Sequence, residues 1–383
     1  MGLLCLYRST LLMDGLLFLL MLADPALPAG SRPPVVLVPG DMGNQLEAKL
    51  DKPSVVHYVC SKKTDHYFTL WLNLELLLPF IIDCWIDNIR FLFAYHGGRP
   101  CELGLRTRQG SPGGPLRLAP SSKPKDPSYL TPAWLWPADE NGPYFLALRK
   151  MIEEMYQLYK GPVVLVAHSM GNMYMLYFLQ QQPQDWKDKY ILAFVALGPP
   201  WGGVAKTLRV LASGDNNRIP VIKSLKIRAQ QRSAVSTTWL LPYNYTWSPQ
   251  KVFVHTPKAN YTLQDYRQFF QDIGFKDGWS MRQDTEGLIE ATVPPGVRLH
   301  CLYGTGVPTP ESYDYESFPD RDPKIRYGSG DGTVNLQSAL HCQTWRGLQK
   351  QEVSLQALPG NEHIAMLANT TTLAYLKRVL LGP

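Results

Sequence analysis

Short apolar runs recur along the chain, each closed by a turn rich in glycine or proline. Val35 to Val38, Val163 to Val166 and Ile191 to Leu197 are short and uninterrupted, as strands buried on both faces are. Val297 to Tyr303 alternates in character, and Val353 to Leu358 reads as a last strand. Two stretches show helical spacing instead. Asn141 to Leu158 is amphipathic, with Pro143 near its first turn, and Asn172 to Gln182 follows the second apolar run almost at once. A strand, a helix and a second strand between Val163 and Leu197 form a βαβ unit, which implies a parallel sheet and the α/β class.

Other stretches break this rhythm. Tyr67 to Asp83, between Cys60 and Cys84, is more apolar than a soluble loop, but Asn73, Glu75, Pro79 and Asp83 interrupt it. Periodicity does not separate a loop dipping into one leaflet from a buried core helix. Residues 91–137 show neither helical nor strand periodicity and read as a basic, flexible, low-complexity segment. Residues 201–297 mix short helices with turn-rich loops and many Trp and Tyr, the composition of a cap or lid. After Gly304 comes a long turn-rich loop. The expected organisation is a core of residues 30–200 and 298–383, carrying the 60–84 loop and the 91–137 segment, with 201–297 as the cap.

The chemistry concentrates where the second run ends, at Ala167-His-Ser-Met-Gly171. Small residues flank a serine between a strand and a helix, the layout of a nucleophile elbow, with Ala167 in place of the usual first glycine. An α/β-hydrolase needs its partners in the order Ser, Asp or Glu, His, and Asp331 and His363 follow Ser169 in that order. Each lies in a tight turn just past a strand. His168 is expected to point away as a strand-end residue, and His341 to lie in a helix. The turn Pro39-Gly40-Asp41 after the first strand is placed to supply a backbone donor to an oxyanion, with Met170 supplying the other.

Length and composition narrow the class. A chain of 383 residues, 45% hydrophobic and 18% charged, can bury a large core. Its formal net charge of +6 is scattered without a basic block, which argues against a nucleic-acid partner and suits weak attraction to an anionic membrane. Residues 1–29 have the layout of a secretory signal peptide. Sequons at Asn244, Asn260 and Asn369 agree with that route. Once Cys5 leaves with the signal, Cys60, Cys84, Cys101, Cys301 and Cys342 remain, an odd number in an oxidising compartment. With no CxxC pair or His cluster, neither a metal site nor a cofactor is expected.

Several motifs together carry a resemblance. Val35-Val-Leu-Val-Pro-Gly-Asp-Met-Gly-Asn44, Trp71-Leu-Asn-Leu-Glu-Leu76 within the Cys60 to Cys84 loop, Ala167-His-Ser-Met-Gly-Asn172, Gly198-Pro-Pro-Trp-Gly-Gly203, Gly330-Asp-Gly-Thr-Val334 and Glu362-His363 resemble the lysosomal phospholipase A2 family. Its members are acid relatives of lecithin-cholesterol acyltransferase among the α/β-hydrolase lipases. The resemblance spans most of residues 33–90 and 139–383, and is lost over 91–137.

It implies a calcium-independent acyl esterase that takes a fatty acid from a glycerophospholipid and passes it to water or to the primary hydroxyl of ceramide. It implies Ser169, Asp331 and His363 as a triad, with the backbones of Asp41 and Met170 as oxyanion hole. It further implies a Cys60–Cys84 bridge, a membrane-binding loop using Trp71, Leu72, Leu74 and Leu76, a lid around Leu211 to Ser233, and a lysosomal or secreted location. Loss of the pattern over 91–137 leaves a silent variant as one alternative and a plasma-type cholesterol acyltransferase as another. An unperturbed histidine is largely protonated in a lysosome, so the base needs surroundings that keep enough of it neutral.

Overall fold

The computed structural model describes residues 33–89 and 142–382, apart from 42, 44, 45, 53, 72, 218, 220 and 221, together with the backbone of three short strands between residues 93 and 118. The expected signal peptide lies outside the described residues, as does most of 91–137.

Five parallel strands form the central sheet in the order Val35–Val38, Val163–His168, Ile191–Leu197, Leu299–Thr305 and Val353–Pro359. The first and third of the five expected strands have the bounds read from their apolar runs, while the fourth begins two residues later than expected. Side chains alternate across the sheet and fill two cores. Val163, Leu165 and Ala167 face one cluster with Phe194 and Ala196, whereas Val164 and Val166 face another with Val195 and Leu197. Helices Gly142–Tyr159 and Gly171–Gln180 cover the first face, where Phe145 stacks on Phe178 with ring centroids 5.9 Å apart. Helix Thr370–Leu381 covers the second through Leu376 and Leu380. This arrangement is the α/β-hydrolase fold.

A second, four-stranded sheet packs beyond the main one. It joins Val254–His255 and Asn260–Tyr261 to an antiparallel hairpin of Val307–Asp314 and Lys324–Gly330. The expected loop after Gly304 is therefore a hairpin. Prolines at 308 and 310 and a register shift between Pro310 and Ser312 disguise it, because proline cannot donate to a ladder. Its Tyr313 and Tyr315 share a separate core with Leu208, Leu211, Phe253, Phe269 and Phe270.

The 91–137 stretch also departs from expectation. Phe93–His96 and Arg99–Glu102 pair as a hairpin, and Leu116–Leu118 pairs with Leu46–Ala48, which in turn pairs with Phe68–Trp71. None of these strands joins the central sheet, whose two outer strands among the described residues are Val35–Val38 and Val353–Pro359.

Two disulfides are present. Cys60–Cys84 closes the apolar loop, and Cys301–Cys342 ties a central strand to the 3-10 helix Leu340–Trp345, where His341 also lies. The second bridge spans 41 residues of sequence, and chain-entropy arguments give such a loop a stabilisation of about 2–4 kcal/mol. Cys342→Ser is expected to lower the unfolding free energy by about that amount, measured by denaturant unfolding under oxidising conditions. Equal midpoints for the two proteins would show that the bridge adds nothing.

Candidate active site

Ser169 sits at the carboxyl end of the elbow strand with a φ of 54°, a conformation that only a sharp, well-packed turn imposes on a non-glycine residue. The packing is visible. A Cβ on Gly171 would fall 2.5 Å from the Pro39 carbonyl oxygen, and one on Gly40 would fall 2.5 Å from Ser169 Cβ. The buried Asn172 amide adds a clasp, donating to the carbonyl oxygens of Ser169 at 2.9 Å and Leu197 at 3.0 Å. These contacts hold the first strand's turn, with Gly40 and Asp41, against the serine. Met170, 2% exposed, opens the helix Gly171–Gln180 on the other side.

Asp331 and His363 come to the same edge. His363 Nδ1 lies 2.7 Å from Asp331 Oδ2, and Nε2 lies 2.8 Å from Ser169 Oγ. A carboxylate can only accept, so Nδ1 carries the proton and Nε2 is left to accept from the serine hydroxyl. Asp331 Oδ1 receives the backbone N–H groups of Thr333 at 3.0 Å and Val334 at 2.7 Å. The His363 backbone N–H donates to the Asp331 carbonyl at 2.8 Å. All three expected residues therefore meet, from turns more than 30 residues apart in sequence.

Burial alone would raise the Asp331 pKa, but the adjacent His363 and the Thr333 and Val334 donors outweigh it and hold the carboxyl below its ordinary range. A depressed carboxyl pKa contributes stability above the unfolded value of about 4, lost only as pH falls through the lower folded value. The Asp331 carboxylate therefore stays ionised in a mildly acidic compartment.

Sequence reasoning misses three contributors. Gly198 ends the neighbouring strand at a φ of +53°, and a Cβ there would lie 3.0 Å from His363 Nδ1 and 3.2 Å from Asp331 Oδ2. The signal was present as a glycine closing an apolar run. Asn172 has no signal beyond its place after the elbow. His168 corrects an expectation: instead of pointing away, its ring lies 4.6 Å from that of His363 and its Nε2 lies 2.8 Å from the His363 carbonyl oxygen. The loop carrying His363 lands on the strand end, and a local pattern cannot foresee that.

The other expected residues are scattered. The Cys60–Cys84 bridge forms. Within its loop Trp71 is buried against Trp85, ring centroids 5.9 Å apart, Leu74 and Leu76 are half-buried, and Leu72 lies outside the described residues. The outward apolar side chains there are Leu78 and above all Phe80, 90% exposed. Asn244 and Asn260 are exposed, and Asn369 caps helix Thr370–Leu381 through Oδ1.

A strained serine, a histidine and a buried carboxylate at the carboxyl edge of a parallel sheet define an enzyme of the α/β-hydrolase class. Residues 133–370 match the family described as lecithin:cholesterol acyltransferase. The chain belongs to the lecithin:cholesterol acyltransferase family. Among its relatives, "Lysosomal phospholipase A and acyltransferase" of Bos taurus is 79% identical, the match covering 100% of both chains. The Homo sapiens protein of that name is 68% identical over 98% of both. "Phosphatidylcholine-sterol acyltransferase" of Gallus gallus is 43% identical over 91% of this chain and 90% of the other.

Proposed function

We propose that the protein is a calcium-independent, serine-dependent phospholipase A2 and O-acyltransferase of the lysosome or the secretory route. The observation that carries this reading is the unbroken relay from Asp331 through His363 to Ser169, with bonds of 2.7 and 2.8 Å. The names of the mammalian relatives support the substrate class and the compartment.

The chemistry follows from proton accounting. His363 Nε2 takes the hydroxyl proton as Ser169 Oγ attacks the acyl carbonyl of a glycerophospholipid. The resulting oxyanion is received by the backbone N–H groups of Asp41 and Met170, the second at the start of a helix whose dipole favours negative charge. Collapse expels the lysophospholipid alkoxide, which His363 protonates, and leaves an acyl-serine. Water, or the primary hydroxyl of ceramide or another lipid alcohol, then gives its proton to His363 and takes the acyl group, and His363 returns the proton to the departing Ser169 Oγ. Asp331 holds the required tautomer and offsets the charge on the imidazolium.

Substrate must come from a bilayer. Among the described residues no helix is long and apolar enough to cross one, so contact is expected to be peripheral. The docking surface we infer is the disulfide-closed loop, with Phe80 and Leu78 outermost and Leu74 and Leu76 behind them. The cap would comprise residues 201–297 with the 307–330 hairpin that shares its core. Cap and loop meet where Lys226, in helix Ser224–Ser233, donates to both oxygens of Asp83 at 2.8 and 3.0 Å. Glycans at Asn244, Asn260 and Asn369 suit this route; at Asn369 the cap uses Oδ1 and leaves the amide nitrogen for the sugar.

The test uses phosphatidylcholine vesicles doped with a short-chain ceramide or with cholesterol, assayed at acidic and neutral pH. Free fatty acid and acylceramide are the expected products, and an organophosphonate is expected to attach at Ser169, located by mass spectrometry. Cholesteryl ester in place of acylceramide would shift the reading to a sterol acyltransferase. Soluble protein that neither releases fatty acid nor takes up the phosphonate would mean a silent variant.

A further inference from the structure

His168 has no part in the proton relay, yet it meets the base in two ways. Its ring packs on the His363 ring, centroids 4.6 Å apart and planes tilted by 39°. Its Nε2 is 2.8 Å from the His363 carbonyl oxygen, which can only accept, so Nε2 carries a proton. We propose that His168 is a positioning residue: its Nε2–H and its ring hold the loop bearing His363 to the end of the elbow strand and so fix the base over Ser169. This rests on the reading of Ser169, Asp331 and His363 as the relay.

The His363 loop needs such a hold. The chain leaves the sheet at Pro359 and turns through Gly360, where φ is +70°, before reaching His363. Ile364, the next residue, is 60% exposed and gives little apolar anchorage on that side. The two peptide groups of His363 are instead fixed to different pieces of framework. Its N–H donates to the Asp331 carbonyl and its C=O accepts from His168, each at 2.8 Å. One bond ties the base to the acid and the other ties it to the strand carrying the nucleophile. A single loop is thereby referenced to both partners, which is what placing a base within hydrogen-bond reach requires.

The arrangement also holds in acid. Burial first, and repulsion from His363 second, lower the pKa of His168 to about 3, outweighing the opposing pull of its bond to the His363 carbonyl and of Asp331. His363 and Asp331 are the titratable groups that act on it. In a compartment near pH 5 His168 therefore stays neutral and donates without placing a second positive charge beside the imidazolium that forms in the reaction. An exposed histidine at this place would be charged there.

The experiment measures kcat and KM on a soluble ester, p-nitrophenyl butyrate, from pH 4 to 8 for the full-length protein and three variants. His168→Gln retains an amide donor of suitable reach, His168→Asn carries one too short, and His168→Phe keeps a ring without a donor. Expected are a kcat near the parent's for Gln, and a kcat about tenfold lower with little change in KM for Asn and Phe, the pattern of a misplaced group that acts only in the transition state. The acid limb of the Gln variant is expected to coincide with the parent's, since the side chain replaced is uncharged there.

Equal turnover in all three variants, an equal loss in all three, or a change confined to KM would overturn the proposal. So would an acid limb displaced in the Gln variant, because it would show that His168 carries a charge there. If the Phe variant does not fold, the contrast between Gln and Asn decides. Ser169→Ala is run in parallel: full activity there sinks the relay itself, whatever the His168 variants do.

Discussion

Asp331→Asn is expected to lower turnover by about 10⁴-fold while leaving the fold and substrate affinity nearly unchanged. The loss arises from the wrong imidazole tautomer. Asp331 Oδ1 receives two backbone donors, from Thr333 and Val334, at 3.0 and 2.7 Å. In the asparagine variant that position must be filled by the amide oxygen, because an NH₂ group there would face two N–H groups and leave all of them unpaired. The NH₂ group is then turned onto His363 Nδ1, which has to accept. The imidazole proton moves to Nε2, where it faces Ser169 Oγ and removes the base. The kcat and KM on vesicles, with thermal unfolding of both proteins, check this. A loss of less than about tenfold would show that His363 takes its proton from Ser169 without help from Asp331.

The same residues show how much the chain reveals before it folds. Ser169 and His363 are legible because each falls in a turn shortly after an apolar run that forms a strand of the parallel sheet, whereas Asp331 is legible from chain order and its glycine-lined turn, since it follows Lys324–Gly330 of the second sheet. That inference needs only local pattern and chain order. His168 was out of reach because alternation along a strand tells which face a side chain takes, not which loop 195 residues later will land on its end. The Cys301–Cys342 pairing was likewise a question of distance, and three leftover cysteines leave it open.

Burial was legible only where the period was clear. In Tyr67 to Asp83 the apolar residues serve two purposes: Leu70, Trp71, Leu77 and Ile82 turn into the core, while Leu78 and Phe80 turn out. An apolar stretch broken irregularly by Asn73, Glu75 and Pro79 carries no clear phase to separate the two sets, so reading Trp71 as membrane-facing rested on resemblance alone. The hairpin of Val307–Asp314 and Lys324–Gly330 was hidden for the opposite reason: its prolines and glycines are turn formers by composition, yet here they lie in a ladder held by its long-range partners.

Gly198→Ala is expected to lower kcat by up to about 10²-fold and to cost about 1–2 kcal/mol of stability. Two independent effects combine. At a φ of +53° an alanine is strained whatever surrounds it, which sets the stability cost. The added methyl would also lie 3.0 Å from His363 Nδ1, 3.1 Å from Cε1 and 3.2 Å from Asp331 Oδ2, so ring or carboxylate must give by a few tenths of an ångström. The ring has no neutral direction in which to move, since its two nitrogens are bonded to Asp331 and Ser169 at 2.7 and 2.8 Å. Retreat from the methyl lengthens one bond or the other, and a base displaced from its proton loses rate rather than binding. Turnover should therefore fall with KM nearly constant. A variant that loses stability but keeps its kcat would show that the strand end shifts and spares the relay; one that loses kcat without losing stability would show that the methyl is accommodated at the expense of His363 alone.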